Sequence, residues 1–118
     1  MFDEKAFKNF MISEGILTEE EYNFINQYTK ETLEKMKDYS KQDYGCFPLS
    51  KDSSIESFRV LVPPIVDLKS MRVNIHEYTH AKLIYEHIYN GVELDETEIK
   101  PILNEVKYLN KIKQKSKK

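Results

Sequence analysis

Apolar positions along the chain recur with two different periods. Phe7, Phe10, Met11 and Ile12 fall at helical spacing between Asp3 and Ser13, and Gly15 ends the run, which predicts a short first helix. Thr18 and Glu21 have the spacing of a capping box. Beyond them Tyr22, Ile25, Tyr28, Leu33 and Met36 mark one side of a second helix reaching about Tyr39. From Tyr44 to Pro64 the texture changes, with Gly45, Pro48, Asp52, Ser53, Ser54, Pro63 and Pro64 punctuating two apolar pieces, Cys46 to Leu49 and Ile55 to Val62. In the second piece Phe58, Val60 and Val62 alternate with Arg59 and Leu61. That is the period of a strand with one buried face, so a small antiparallel pair is expected, halted by the two prolines.

Asp67 can cap a long third helix that runs to about Asn90, where Asn90 and Gly91 supply left-handed turn chemistry. A last helix covers Glu98 to Lys111, with Ile99, Ile102, Val106 and Leu109 on one stripe, and a basic, solvated tail follows to Lys118. This order of elements predicts a single α+β domain over residues 1–118, mostly helical, with a small antiparallel sheet. Its parts are N-terminal helices in 1–43, the sheet in 44–66, a helical pair in 67–111 and the tail in 112–118. No internal repeat interrupts it.

Composition narrows the class. A chain of 118 residues that is 40% hydrophobic and 32% charged reads as a soluble globular domain. The formal charge of -2 offers no overall basic surface for nucleic acid, and no RNA-binding or finger motif is present. Cys46 is the single cysteine, which rules out an internal disulfide and a cysteine-based structural zinc site and fits a cytoplasmic protein. No stretch is long and apolar enough to cross a bilayer, so neither membrane nor nucleic acid is an expected partner.

The candidate chemistry lies in the third helix, where His76, Glu77, Tyr78, Thr79 and His80 spell H-E-x-x-H. Residues four apart share a helix face, so both imidazoles can reach one zinc ion, while Glu77 is rotated to where it can hold a metal-bound water as general base. The wheel places His76 and His80 with Val73, Leu83 and Ile84, facing the interior. Asn74, Tyr78, Lys82 and Tyr89 point away. His87 sits about 10 Å along the axis from His80, too far to share the ion, and is expected to be structural.

These residues resemble the zincin metallopeptidases. Val73 to Ala81 follows their extended pattern of an apolar residue, two further residues, H-E-x-x-H and a small uncharged residue, and Lys82 departs from the apolar residue that usually follows. The metzincin branch is not matched, because Leu83 stands where it carries glycine and no histidine follows at its fixed position. The gluzincin branch takes its third ligand from a glutamate on the next helix, for which the resemblance offers Glu98 and Glu105. The run E-I-K-P-I-L-N-E looks like the second motif of the thimet oligopeptidase and oligoendopeptidase F family and favours Glu98 as ligand. Against that, a hairpin turning at Asn90 to Leu94 would set Glu105 level with His80, and Asn104 with Glu105 resembles the asparagine-glutamate pair of thermolysin-like enzymes. Glu98 as ligand with Glu105 supporting is the reading preferred, and either arrangement leaves a fourth position open, as catalytic zinc requires.

The resemblance implies a zinc-dependent metallopeptidase acting on a peptide or protein substrate, with Phe58 to Val62 either as a substrate-binding rim strand or as an ordinary core strand. The alternative is a metal-binding regulatory or interaction module with weak or no turnover. Oxyanion stabilisation in related enzymes comes from a histidine or tyrosine outside the motif helix, and Tyr78, Tyr85, Tyr89 and Tyr108 compete for that role.

Overall fold

The computed structural model describes residues 2–35, 45–48 and 58–116. Four helices carry it: α1 (Glu4–Ser13), α2 (Glu19–Lys35), α3 (Leu68–Asn90) and α4 (Ile99–Ser116). Two four-residue strands, β1 (Gly45–Pro48) and β2 (Phe58–Leu61), form one antiparallel ladder with Gly45 opposite Leu61 and Pro48 opposite Phe58. The expected α+β class is therefore corrected to a mostly helical fold. A ladder this short forms no sheet layer, and the core is closed by helix on helix. Residues 36–39 of the expected second helix, the remaining ends of the two expected strands and their connecting turn lie outside the described residues.

Local signals in the sequence set most of the helix ends. Asp3 Oδ1 accepts from the Ala6 amide at 2.8 Å and caps α1. Gly15, with φ of +70°, lets the chain leave that helix while the Ile16 and Leu17 amides return to the Met11 carbonyl. Thr18 and Glu21 form the expected reciprocal box, amide to carboxylate at 2.8 Å and amide to hydroxyl at 3.1 Å. Asp67 and Ser70 form a second box at the start of α3, and Gly91, with φ of +67°, ends that helix. His87 Nδ1 donates to the Val92 carbonyl at 2.8 Å, which gives it the structural role expected. At the far end α4 continues through Ser116, so most of the expected basic tail is helix.

The core gathers Phe7, Phe10 and Met11 of α1, Tyr22 and Ile25 of α2, Val60 and Val62 at β2, and Met71, Ile75 and Tyr78 of α3. Phe7 stands edge-on to Tyr78 with centroids 4.8 Å apart, and Tyr22 lies 5.8 Å from Tyr78. Full burial of one such side chain stabilises by about 1.5–3 kcal/mol. Burial pushes the Tyr22 hydroxyl up to about 12, and Tyr78 is raised further by the same cause, its hydroxyl donating to Asn26 Oδ1 at 3.1 Å.

Two expectations about helix faces are corrected here. Asn74 and Tyr78 are buried, because Asn74 Nδ2 donates to the carbonyls of Pro63 and Ser70 at 3.0 and 2.9 Å and Tyr78 completes the aromatic cluster. The face of α3 that enters the core is the one they share with Met71 and Ile75. His76 and His80 lie on the flank beside it, turned toward α4 and only partly buried. The stripe of α4 is also reversed: Ile99, Ile102 and Val106 are exposed, whereas Pro101 is buried and Tyr108 packs edge-on to Phe10 at 5.0 Å. Among the described residues no helix is long and apolar enough to cross a membrane.

Candidate metal centre

Antiparallel packing of α4 on α3 brings Glu77, His76, His80, Glu98 and Glu105 together. Thr97 donates its amide and hydroxyl to Asp95 Oδ1 at 2.9 and 2.6 Å, a local turn that leads into α4. Glu98 follows it, with its carbonyl accepting from the Ile102 amide. Farther along, Asn104 Nδ2 donates to Thr79 Oγ1 at 3.0 Å, and that hydroxyl donates to the Ile75 carbonyl at 2.8 Å. This link fixes the register between the helices.

Glu98 Oε2 lies 2.5 Å from His76 Nε2 and 3.1 Å from His80 Nε2. His76, His80 and Glu98 each offer one ligand atom, and the three atoms lie within 4.8 Å of one another. On the other side of the His76 ring, Nδ1 is 2.7 Å from Glu105 Oε2. Arg72 Nε in turn holds Glu105 Oε1 at 3.2 Å. Glu77 Oε1 is 4.0 Å from His76 Nε2, on the same side of the ring as Glu98.

His76 thus has a carboxylate oxygen against each ring nitrogen. A neutral imidazole carries one N–H, so it can donate to only one of them and would turn a lone pair on the other. Either a second proton or a cation resolves the conflict. Burial pulls the His76 pKa down, but the Glu105 hydrogen bond and the charges of Glu77, Glu105 and Glu98 outweigh it, and the net shift is upward. Burial raises the Glu77 carboxyl, opposed by His76 and His80, while Glu98, more than half exposed, is lowered chiefly by its hydrogen bond to His80.

The donor set fits zinc. Two imidazole nitrogens and one carboxylate oxygen are its usual catalytic ligands, and in a four-coordinate site with bonds of about 2.0 Å the ligand atoms stand about 3.3 Å apart. The spacings from Glu98 to the histidines are 2.5 and 3.1 Å and all three ligand atoms lie within 4.8 Å of one another, so side-chain rotation would have to open the set around an ion. Three carboxylates face two imidazoles and Arg72, so with both histidines neutral the cluster carries a net charge that a divalent cation complements.

The two glutamates are closer to the arrangement preferred from sequence than to the alternative. Glu98 meets both histidines, whereas Glu105 reaches His76 and Arg72, because the interhelical connection runs to Glu98 and shifts α4 along α3. Arg72 was not singled out from sequence, although it stands four residues before His76 on the same flank. Lys82, the departure from the extended zincin pattern, is explained by its bonds to both Glu21 carboxylate oxygens at 3.0 Å and to Glu86 at 3.3 Å.

The tyrosines weighed for oxyanion stabilisation are engaged in ring packing. Tyr78 packs with Phe7, Tyr85 and Tyr89 with Phe24, and Tyr108 with Phe10. Val60 and Val62 of the expected rim strand are core residues. Comparison with protein-family models, curated proteins and solved structures finds no match to the chain.

Proposed function

We propose that this chain is a zinc-dependent metallopeptidase, with His76, His80 and Glu98 as ligands, Glu105 supporting His76, and Glu77 as general base. The observation that supports it most is the placement of carboxylates on both nitrogens of His76, with His80 and Glu77 on the Nε2 side. Nδ1 donates to Glu105 and leaves Nε2 as the metal-facing nitrogen. A bound zinc ion would supply Lewis acidity, lowering the pKa of a water and polarising a scissile carbonyl.

Glu77 then receives a proton and delivers it to the leaving amine. Its burial suits that exchange by holding the carboxyl above its ordinary value. Arg72 holds the Glu105 carboxylate in place against His76 so that the ring cannot turn away. The exposed carboxylate of Glu98 leaves the site shallow, which suits a short peptide or a flexible loop. With a single cysteine, Cys46, we place the protein in the cytoplasm.

A second reading, a metal-binding interaction module with little turnover, draws on the exposed apolar side of α4 beside the site. Zinc content after dialysis and turnover of a peptide library, each compared with a Glu77→Gln variant, separates the two. About one zinc per chain with hydrolysis lost in the variant supports the peptidase. Retained zinc with no hydrolysis by the wild type supports the module. Absence of zinc from protein supplied with it removes both readings.

A further inference from the structure

The outer side of α4 combines apolar exposure with charge on one edge. Ile99, Ile102, Leu103 and Val106 are 63, 49, 59 and 44% exposed and follow one another along the helix within an arc of about 100°. One edge of this stripe is formed by Glu98 and Glu105, both committed to the histidines. Lys100 and Lys107 form the opposite edge, separated by two turns or about 10.5 Å. Lys111, next on that edge, is paired with Glu14, but neither Lys100 nor Lys107 has an ion-pair partner among the described residues. Leu103 also lines a groove of about 470 Å³ with Ile16 and Leu83, whose two carboxylates, Glu14 and Glu86, are paired with Lys111 and Lys82, and whose rim includes the same two lysines.

We propose that this face docks an amphipathic helix of another protein, its apolar side on Ile99, Ile102, Leu103 and Val106 and two of its carboxylates at Lys100 and Lys107. The charge pattern selects this occupant. A second copy pairing parallel through the same stripe would need Glu98 and Glu105, which the histidines hold, and one pairing antiparallel would set the two lysine edges side by side. Like charges facing across an apolar seam oppose association. An anionic membrane would attract the lysine edge but meet Glu98 on the other and the exposed Glu93 and Glu96 just before the helix. A helix with an acidic edge satisfies the lysines and leaves Glu98 and Glu105 to the histidines. The docking uses none of the three metal ligands and stands whether or not the chain cleaves peptides.

Fluorescence anisotropy with synthetic helical peptides tests it. The peptides share one leucine face and carry, along one edge and two turns apart, either two glutamates or two lysines. Wild-type protein is expected to bind the glutamate peptide about tenfold more tightly than the lysine peptide, and a Lys100→Glu, Lys107→Glu double variant to reverse that order. Leu103→Asp should abolish both without altering the circular dichroism melt. Equal binding of the two peptides, or none of either, overturns the proposal. So does a dimer in sedimentation that dissolves on Leu103→Asp, or binding to phosphatidylglycerol vesicles, and not to phosphatidylcholine, that depends on the two lysines.

Discussion

The two long sides of α3 meet opposite requirements within the same six turns. On one side Met71, Ile75 and Tyr78 are sealed against α1, α2 and β2, and the polar residues among them, Asn74 and Thr79, bond to nearby carbonyls. On the other, His76 and His80 stand half-open with carboxylates crowded around them. The sealed side is satisfied as it stands. Its stability comes from volume and shape, and among the described residues no buried side-chain nitrogen or oxygen lacks a hydrogen-bond partner. The open side is electrostatically incomplete until it takes up a proton or a cation, which is the condition expected of a binding centre.

Substitutions should separate the two sides. The largest effect belongs to Glu77→Gln, expected to lower peptide hydrolysis about 10²–10⁴-fold while the urea midpoint and zinc content stay close to wild type. Loss of fold in that variant would show that Glu77 serves the core instead. On the sealed side, Ile75→Ala should cost about 2–5 kcal/mol in urea unfolding, with the remaining folded protein still binding zinc. Next comes a difference between the glutamates: Glu105→Gln should weaken zinc about 10–100-fold in competition with a chelator, and Glu98→Ala should weaken it more. The reverse order would make Glu105 the ligand.

The smallest effect concerns Glu21, which joins α2 to the edge of α3 through Lys82. Burial opposes ionisation of Glu21, but bonds from Thr18 and Lys82 prevail and its folded pKa falls below 4.5. A depressed carboxyl contributes stability that is present above the unfolded value and lost as pH falls through the folded one. Glu21→Gln should therefore lower stability by about 1 kcal/mol or less near neutrality and flatten the pH dependence of unfolding below 4.5.

Helices, caps and the H-E-x-x-H motif were legible in the sequence because each depends on residues within a turn or two of one another: Thr18 with Glu21, Asp67 with Ser70, His76 with His80. The buried face of α3 was not. Asn74 and Thr79 look like solvent residues, and only their bonds to the Pro63 and Ile75 carbonyls make burial tolerable. The stripe of α4 misled for the opposite reason. Ile99, Ile102 and Val106, at core spacing, face outward because the side containing Pro101, Asn104, Glu105 and Tyr108 carries the specific contacts to the rest of the fold. Glu98 and Glu105 were both identified, but their order along α3 depended on where α4 begins, and a turn at Asn90 to Leu94 started the return too early.

The contacts that gather the histidine–glutamate cluster join residues 18 to 29 positions apart, whereas Tyr78 reaches Asn26 across 52 and Lys82 reaches Glu21 across 61. Closing a chain costs entropy that grows with the logarithm of the span, and rates fall as contacts become less local. The α3–α4 hairpin therefore has the shorter search. Zinc present at the start of refolding should accelerate the formation of that hairpin, with the ion acting as a template around which the N-terminal helices later close.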